Sequence, residues 1–243
     1  MPATMFITLQ GKGGVGKSYI TSISAQYMLS HGHTVICVDA DTLNPTLLRY
    51  EKLNATHLKL SENNIVDQRA IDTLIEILKA APDDAYVVVD VGSNGFETLM
   101  GYQVENGLFD FLQSKGHKVY AQTVIAGGAD AEETIKGAMA LLASTDVQML
   151  VWFNEHLGPL EYQNRNLRDL DFLTAAGDRI IGSVTLRKRT AQTFGKDVQQ
   201  MLVRRITFDE AQACFDMMPA HRIKLVKNDI YAQLDEIGFL SVD

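Results

Sequence analysis

The glycine-rich segment at residues 11–18, with the sequence GKGGVGKS, constrains the fold more than any other part of the chain. It follows an apolar run at residues 5–10 that is typical of a buried strand. After the segment, Ile20, Ile23 and Tyr27 recur at helical spacing. A strand, a glycine-rich turn and a helix in this order are typical of a parallel α/β sheet. We therefore expect an α/β fold of three layers, in which helices flank a mostly parallel twisted sheet.

Residues 11–18 also match the phosphate-binding pattern G-x-x-x-x-G-K-[ST]. Glycines let successive backbone N–H groups turn toward an anion, and the helix N-terminus adds the positive end of its dipole. In this pattern Lys17 reaches the β and γ phosphates of a nucleotide, and the Ser18 hydroxyl ligates Mg²⁺. A glycine-rich turn that binds nothing is the alternative. The expected nucleotide-binding residues here are Gly11, Gly13, Gly14, Val15, Gly16, Lys17, Ser18 and Tyr19.

A second lysine, Lys12, gives the loop the deviant form K-G-G-V-G-K-S. With this lysine the sequence resembles the ParA/MinD family of P-loop ATPases. The resemblance implies ATP and Mg²⁺ as cofactors, slow hydrolysis, and a homodimer that forms on ATP binding. It also implies that Lys12 reaches the phosphates held by the other subunit, as an arginine finger does in other NTPases. A solvated loop lysine is the alternative.

Two aspartates follow the second predicted strand, residues 34–39, at the strand's carboxyl end. Ligands of open α/β sheets bind at that end. The pair Asp39 and Asp41 resembles the switch region of ParA/MinD proteins, which implies that Asp41 orients the attacking water and Asp39 helps hold the Mg²⁺ shell. The catalytic set implied by the resemblance is therefore Lys12, Lys17 and Asp41. The alternative is that both carboxylates cap the next helix.

The predicted strand at residues 85–90 is apolar and ends in Asp90, as in a Walker B element, where the aspartate binds a water of the Mg²⁺ shell. The expected metal set is therefore Ser18, Asp39 and Asp90. Residues 91–95 depart from the D-x-P sequence that is usual in the ParA/MinD family. The second switch thus differs from the family pattern, while the metal role of Asp90 is unaffected.

The residues at and after the end of the strand predicted at 147–153 indicate which branch of the ParA/MinD family this sequence resembles. In ParA/MinD proteins an asparagine after this strand binds the adenine edge, which assigns that role to Asn154, with a strand-end cap as the alternative. The sequences VWFN at 151–154 and GPLE at 158–161 are similar to the conjugal-transfer TraL branch, related to plasmid-stability StbB-type ATPases. Relatives carry a proline beside the base after the next strand. Here Thr185 stands in that place and completes the expected nucleotide-binding set.

The remaining sequence alternates helices and strands. A helix is expected to open at Asp67, and another covers residues 96–113 with a break at Gly101 or Gly107. Asp130 is expected to cap a helix. Its buried stripe would be Ile135, Met139 and Leu142. Further strands are predicted at residues 56–60, 118–125 and 179–185. One further helix is predicted to contain Phe194 and Met201, and another is predicted to begin at Thr207. The last predicted helix covers residues 221–237 and has Ile223, Val226, Ile230 and Leu234 on one face.

Composition limits the class of protein. A chain of 243 residues that is 46% hydrophobic can bury one core, so we expect residues 1–243 to form a single P-loop ATPase domain. No apolar run approaches about 20 residues and no signal-peptide pattern is present, which predicts a soluble cytoplasmic protein without an integral membrane segment. Cys37 and Cys214 form no C-x-x-C pair, so neither zinc nor an iron–sulfur cluster is expected. Cys37 and Trp152 are expected in the core.

Charge is distributed unevenly along the chain. The formal net charge of −8 argues against a protein that coats nucleic acid with its whole surface. Residues 187–227 nevertheless carry nine basic side chains against four acidic ones. Such a stretch binds DNA without sequence preference when it faces phosphates, and the alternative is a set of solvated helix residues. The last helix is not a basic membrane anchor, because Asp229, Asp235 and Glu236 lie on its polar side and residues 238–243 end acidic.

These features predict a Mg²⁺-dependent ATPase that acts as a dimerising switch in plasmid conjugative transfer, stability or DNA positioning, with plasmid transfer or stability proteins as partners. An ATP-dependent small-molecule synthetase of the dethiobiotin or cobyrinate type is the first alternative. Lys12 favours the switch, because such synthetases do not need it. A module that binds ATP without hydrolysing it is the second alternative, and Asp41 argues against it.

Overall fold

A computed structural model describes residues 2–62, 65–66, 69–238 and 240. Seven strands form the central sheet, and every neighbouring pair is parallel. In chain order they are β1 Thr4–Thr8, β2 Val35–Asp39, β3 Thr56–His57, β4 Tyr86–Asp90, β5 Val119–Ala126, β6 Gln148–Asn154 and β7 Ile180–Leu186. Their spatial order is β7-β6-β5-β1-β4-β2-β3. The expected parallel sheet is confirmed.

Helices connect the strands. They are α1 Lys17–Ser30, α2 Arg69–Ala80, α3 Ser93–Asn106, α4 Leu108–Ser114, α5 Ala131–Ser144, α6 Asp171–Ala175, α7 Lys196–Arg204, α8 Phe208–Cys214 and α9 Met217–Ile237. Two short antiparallel hairpins pair Ser61–Glu62 with Ile65–Val66 and Glu161–Tyr162 with Arg165–Asn166. A single π-helical turn, Ala191–Gly195, precedes α7.

Side chains alternate across the sheet and create a core on each face. In β1, Met5 and Ile7 belong to the core that contains the buried residues of α2, α3, α4 and α5. Phe6, between them, belongs to the core formed with α1, α7, α8 and α9. Both faces of a parallel sheet are covered by helices in this way. The three-layer architecture is therefore confirmed.

The strand order places the predicted site. Asp90, at the end of β4, is the register partner of both Thr8 in β1 and Asp39 in β2. Since the three strands are parallel, the glycine-rich loop after β1 and the two aspartates emerge at one edge of the sheet. This edge is the carboxyl end, where ligands of open α/β sheets bind.

Three local predictions need correction. Met139 is 49% exposed and Leu142 is only partly buried, whereas Ala138 and Leu141 are buried, because these two residues lie in the core on this face of the sheet. Asp130 occupies the N-cap of α5 but makes no side-chain cap hydrogen bond, since its carboxylate pairs with Lys12. The strand predicted at residues 56–60 contains only Thr56–His57.

Other local predictions are confirmed. The helix at residues 96–113 is broken at Gly107, whose φ of 59° ends α3 and begins α4. Thr207 starts α8 through a capping box with Glu210. Cys37 and Trp152 lie in the core, and the four residues predicted on the inner face of α9 are all buried. The predicted helix start at Asp67 and the acidic chain end at 241–243 lie outside the described residues.

Among the described residues, no helix combines the length and the apolar character that a bilayer span requires.

Candidate functional site

The glycine-rich loop presents free backbone donors at the start of α1. Gly14 and Gly16 have φ values of 77° and 105°, which only glycine adopts without strain. Gly16 is the N-cap of α1, and among the described residues no side chain caps it. No acidic residue lies in the first turn. The N–H groups of that turn and the helix dipole therefore favour an anion.

A cavity of about 410 Å³ opens over this loop. Its volume lies in the range of small-molecule sites. Four parts of the chain that are distant in sequence contribute to its wall: the loop with the first turn of α1, the segment after β2, Ser93 at the start of α3, and the C-terminal end of α7. Its lining residues are Gly13, Gly14, Gly16, Lys17, Ser18, Tyr19, Asp41, Asn44, Thr46, Tyr50, Ser93, Leu202 and Arg205.

Lys17 is a buried cation at this cavity. Its residue is 8% exposed, and its ammonium donates to the Lys12 carbonyl oxygen at 2.8 Å. Burial lowers the pKa of Lys17 below its ordinary value, while Asp90 and Asp41 oppose that shift. Within the described chain, no carboxylate lies within ion-pair distance of the ammonium. An anion in the cavity would therefore gain a strong charge-assisted partner.

Asp90 is a buried carboxylate with one unpartnered oxygen. It is 1% exposed, and its Oδ1 accepts a hydrogen bond from the Thr21 hydroxyl at 3.2 Å. Burial raises the pKa of Asp90 to about 7 and nearby Asp39 adds to the shift, whereas hydrogen bonds from Ser18 and Thr21 and the charge of Lys17 oppose it. Oδ2 has no hydrogen-bond partner. An orphaned carboxylate oxygen beside a serine hydroxyl fits a hard cation.

This arrangement fits Mg²⁺ held together with a nucleotide. No group of three or more His, Cys, Asp or Glu side chains able to hold a metal occurs among the described residues. Mg²⁺ is commonly bound through one or two protein oxygens, several waters and the phosphates of a substrate. Ser18 and Asp90 supply such oxygens next to the anion-binding loop.

Asp39 and Asp41 shape the segment that closes the cavity. The Asp39 carboxylate accepts the Asp41 N–H at 3.0 Å and the Leu48 N–H at 2.9 Å. Burial raises its pKa, although these hydrogen bonds oppose the rise. Asp41 Oδ1 accepts the Leu43 and Asn44 N–H groups at 3.0 and 2.9 Å. Both carboxylates therefore organise the backbone of their own loop.

Gly92 explains part of the atypical sequence after Asp90. A Cβ on Gly92 would lie 2.5 Å from the Asp41 Cγ, so a larger residue would displace that carboxylate. Ser93 then begins α3 and lines the cavity. The segment after β4 thus contacts the aspartate after β2 directly.

Lys12 points away from the cavity within its own chain. Its ammonium lies 3.3 Å from Asp130 Oδ1 and contacts Glu133 Oε2. Hydrogen bonds with Glu133 and then Asp130 raise the pKa of Lys12. The side chain is only partly exposed, at 31%. Two carboxylates near the start of α5 therefore hold this lysine.

Asn154 clamps the loop to the sheet. Its Nδ2 donates to the Val15 carbonyl oxygen at 2.9 Å, and its Oδ1 accepts the His156 N–H at 3.0 Å. Thr185 Oγ1 accepts a hydrogen bond from Arg168 at 3.1 Å. A second, narrow cavity of about 20 Å³ shares Tyr19 with the first and is also lined by His156. Burial lowers the pKa of His156.

The sequence matches the CobQ/CobB/MinD/ParA nucleotide binding domain over residues 6–212. The chain belongs to this family. Its members are P-loop NTPases, so this ParA/MinD-type chain carries a nucleotide-binding domain.

Individual proteins similar to this ParA/MinD-type chain support the same family assignment. The protein TraL of Escherichia coli is 34% identical over 242 residues, which cover 98% of this chain and 100% of TraL. The protein MobD of Acidithiobacillus ferrooxidans is 24% identical over 160 residues, 65% of this chain and 66% of MobD. The MinD cell division protein of Aquifex aeolicus shares the fold, with a TM-score of 0.50, 16% identity and coverage of 93% and 95% of the two chains. The resemblance to ParA/MinD ATPases and to TraL is confirmed.

Residues predicted for the ParA/MinD site fall into two groups. Most of the loop, with Lys17, Ser18, Tyr19 and Asp41, lines the cavity. The other predicted residues do not line the cavity: Gly11, Lys12, Val15, Asp39, Asp90, Asn154 and Thr185. The sequence did not predict six of the lining residues: Asn44, Thr46, Tyr50, Ser93, Leu202 and Arg205. No motif marks Tyr50, Leu202 and Arg205, because long-range packing brings them to the loop.

Ion pairs occupy part of the basic stretch of this ParA/MinD-type chain. Four of its nine cations contact carboxylates: Arg187 and Arg189 with Asp229, Arg222 with Asp197, and Lys227 with Asp209. The other five have no ion-pair partner among the described residues: Lys188, Lys196, Arg204, Arg205 and Lys224.

Proposed function

We propose that residues 1–243 form a single Mg²⁺-dependent ATPase domain that acts as a dimerising switch in plasmid conjugative transfer, stability or DNA positioning. The observation that carries this proposal is the buried ammonium of Lys17, without a carboxylate partner in the described chain, beside the uncapped start of α1. Similarity to TraL over nearly the full length supports a role in plasmid transfer.

The chain's own residues supply the parts of a phosphoryl-transfer site. N–H groups at the start of α1 and the Lys17 ammonium would bind the β and γ phosphates of ATP. Ser18 would hold Mg²⁺, and Asp90 and Asp39 would help hold the water shell of the ion, which would supply positive charge next to those phosphates. Asp41, at the cavity wall, would orient the attacking water. Asn154 and Thr185 would lie on the side of the base.

ATP would bridge two copies of the chain. Lys12 would leave Asp130 and Glu133 and reach the phosphates bound by the partner copy. Both ion pairs are partly solvated, and such pairs contribute little to stability. Exchanging them for a contact with a triphosphate is therefore energetically accessible. Hydrolysis would then release the two copies.

DNA and plasmid proteins are the partners that we infer. Lys188, Lys196 and Lys224 are exposed and have no ion-pair partner among the described residues, so they offer a surface for phosphates without sequence preference. We infer a cytoplasmic location, where plasmid DNA and ATP are both present.

Nucleotide binding provides the first test. The purified chain should bind ATP and ADP in the presence of Mg²⁺, and Lys17→Ala should lose that affinity. Sedimentation should show a dimer with ATP or a hydrolysis-resistant ATP analogue, and no dimer with ADP. A wild-type chain with no affinity for adenine nucleotides would overturn the proposal.

Hydrolysis assays separate the switch from its alternatives. Asp41→Ala should abolish turnover while binding remains, whereas a module that only binds ATP would show no turnover in the wild type. Phosphate release that requires a carboxylated metabolite would indicate a synthetase. Unchanged turnover and dimerisation in Lys12→Ala would exclude the contact between subunits.

A further inference from the structure

We propose that Arg205 is a phosphate-binding residue of the nucleotide cavity, contributed by the C-terminal end of α7. The inference rests on the proposed function and adds a ligand contact outside the glycine-rich loop. Arg205 lines the 410 Å³ cavity together with Gly13, Lys17 and Ser18. Its guanidinium would donate to phosphate oxygens of the same nucleotide that the loop binds.

The backbone of Arg205 supports a role for its side chain. Arg205 follows the last residue of α7 and has a φ of 54°, in the left-handed region. Its N–H donates to the Leu202 carbonyl and the Ile206 N–H to the Met201 carbonyl, as in a helix end that normally carries glycine. A non-glycine residue in this conformation is mildly strained. Arg205 therefore has a large side chain at a position where the left-handed backbone favours glycine.

The charge of Arg205 lacks a carboxylate in the described structure. Four other cations of the same stretch have ion-pair partners, whereas Arg205 has none among the described residues, although it is half-buried. The side chain lies beside the hydroxyl of Tyr50, itself 2% exposed and next to Ser22. A neutral hydroxyl orients the guanidinium without compensating its charge. The remaining N–H donors are suited to a phosphate, which guanidinium binds in a forked geometry.

Arg204 shows that position, and not charge alone, distinguishes Arg205. Arg204 is exposed, its guanidinium lies 5.3 Å from the centre of the Phe215 ring, and it does not line the cavity. The two adjacent arginines thus carry the same charge in different places. Arg204 is the matched control.

Arg205→Gly is the informative variant, because glycine removes the guanidinium and also suits the left-handed backbone. We expect its apo unfolding midpoint to stay close to that of the wild type. Its affinity for Mg²⁺-ADP and Mg²⁺-ATP, measured by calorimetry, should fall on the order of 10- to 100-fold, as for loss of a charged hydrogen bond. Arg205→Lys should recover part of the loss, and Arg204→Ala should bind both nucleotides as the wild type does.

The outcomes separate this inference from the proposed function. If the wild type binds nucleotide and Arg205→Gly binds it with the same affinity, the role of Arg205 is overturned and the ATPase proposal is left intact. An equal loss in Arg204→Ala would also overturn it, because a general charge effect or a disturbed helix end would then explain the result. Absence of binding in the wild type would overturn both proposals.

Discussion

Thr21 and Asp90 share a 3.2 Å hydrogen bond that connects the first helix to the end of strand β4. The Thr21 hydroxyl also lies 2.6 Å from the Thr8 hydroxyl, which accepts from Gln122 Nε2 at 2.7 Å. Gln122 Oε1 in turn accepts the Trp152 indole N–H at 2.9 Å. A buried chain of polar groups therefore runs from the core tryptophan to the proposed metal ligand.

Thr21→Val should weaken this chain without changing side-chain volume greatly. We expect the free energy of unfolding to fall by about 1–2 kcal/mol, because the Thr8 hydroxyl and Asp90 Oδ1 lose a buried partner. Thr21→Ser keeps the hydroxyl and should cost less. Denaturant unfolding of the three proteins measures the difference, and equal stability of the valine and serine variants would contradict the role of the hydroxyl.

Asp90→Asn should stabilise the apo protein in a pH-dependent way. In the unfolded chain the Asp90 carboxyl ionises at about pH 4. In the folded chain its pKa is about 7 because burial disfavours the charge. The contribution of the Asp90 carboxyl to the free energy of unfolding of the wild type is therefore lost as pH rises from about 4 to about 7. The advantage of the asparagine should grow over that window to on the order of 1–3 kcal/mol at pH 8.

Thermal melts at pH 4.5 and pH 8 measure this effect. The same variant should lose the extra stabilisation that Mg²⁺ adds to a bound nucleotide, since a neutral amide is a poorer ligand for the cation. An advantage that is constant across pH would contradict the burial of the charge.

Gly137→Ala should destabilise the protein although alanine favours helices. The added Cβ would lie 2.1 Å from Gln10 Oε1, which accepts the Lys12 N–H at 3.3 Å. Gln10 cannot move freely, because its Nε2 donates to two backbone carbonyls. We expect a loss of about 1–3 kcal/mol. Gly101→Ala, at an open position in α3, should instead gain roughly 0.5–1 kcal/mol.

Chemical unfolding of both alanine variants tests the prediction. A gain in stability for Gly137→Ala would show that Gln10 relocates without loss of its hydrogen bonds.

Glu133→Gln should make Lys12 more available to a partner copy. It removes one of the two carboxylates that hold the lysine in its own chain. We expect ATP-dependent dimerisation to become roughly 2- to 10-fold tighter, because less interaction must be given up. Analytical ultracentrifugation measures it. Glu132→Gln is the control, since Glu132 pairs with Lys136 instead, and an equal effect in that variant would reject the specific role of Glu133.

Several elements could be predicted from local sequence. The strand, loop and helix around Lys17 were predictable because a phosphate-binding turn requires glycines and a lysine at fixed spacing. The buried face of α9 followed from helical periodicity. The stripe of α5 was wrong at Met139, since spacing alone does not tell which side of a helix approaches the sheet.

The sequence by itself determined that a glycine-rich loop joins β1 to α1 and that aspartates end β2 and β4. These are local properties, set by backbone conformations and by runs of apolar residues. Only the tertiary structure decided that β4 lies between β1 and β2, that α5 holds Lys12, and that Arg205 lines the cavity. Contacts between distant segments depend on how helices pack across the sheet, and no spacing within a short stretch of sequence encodes them.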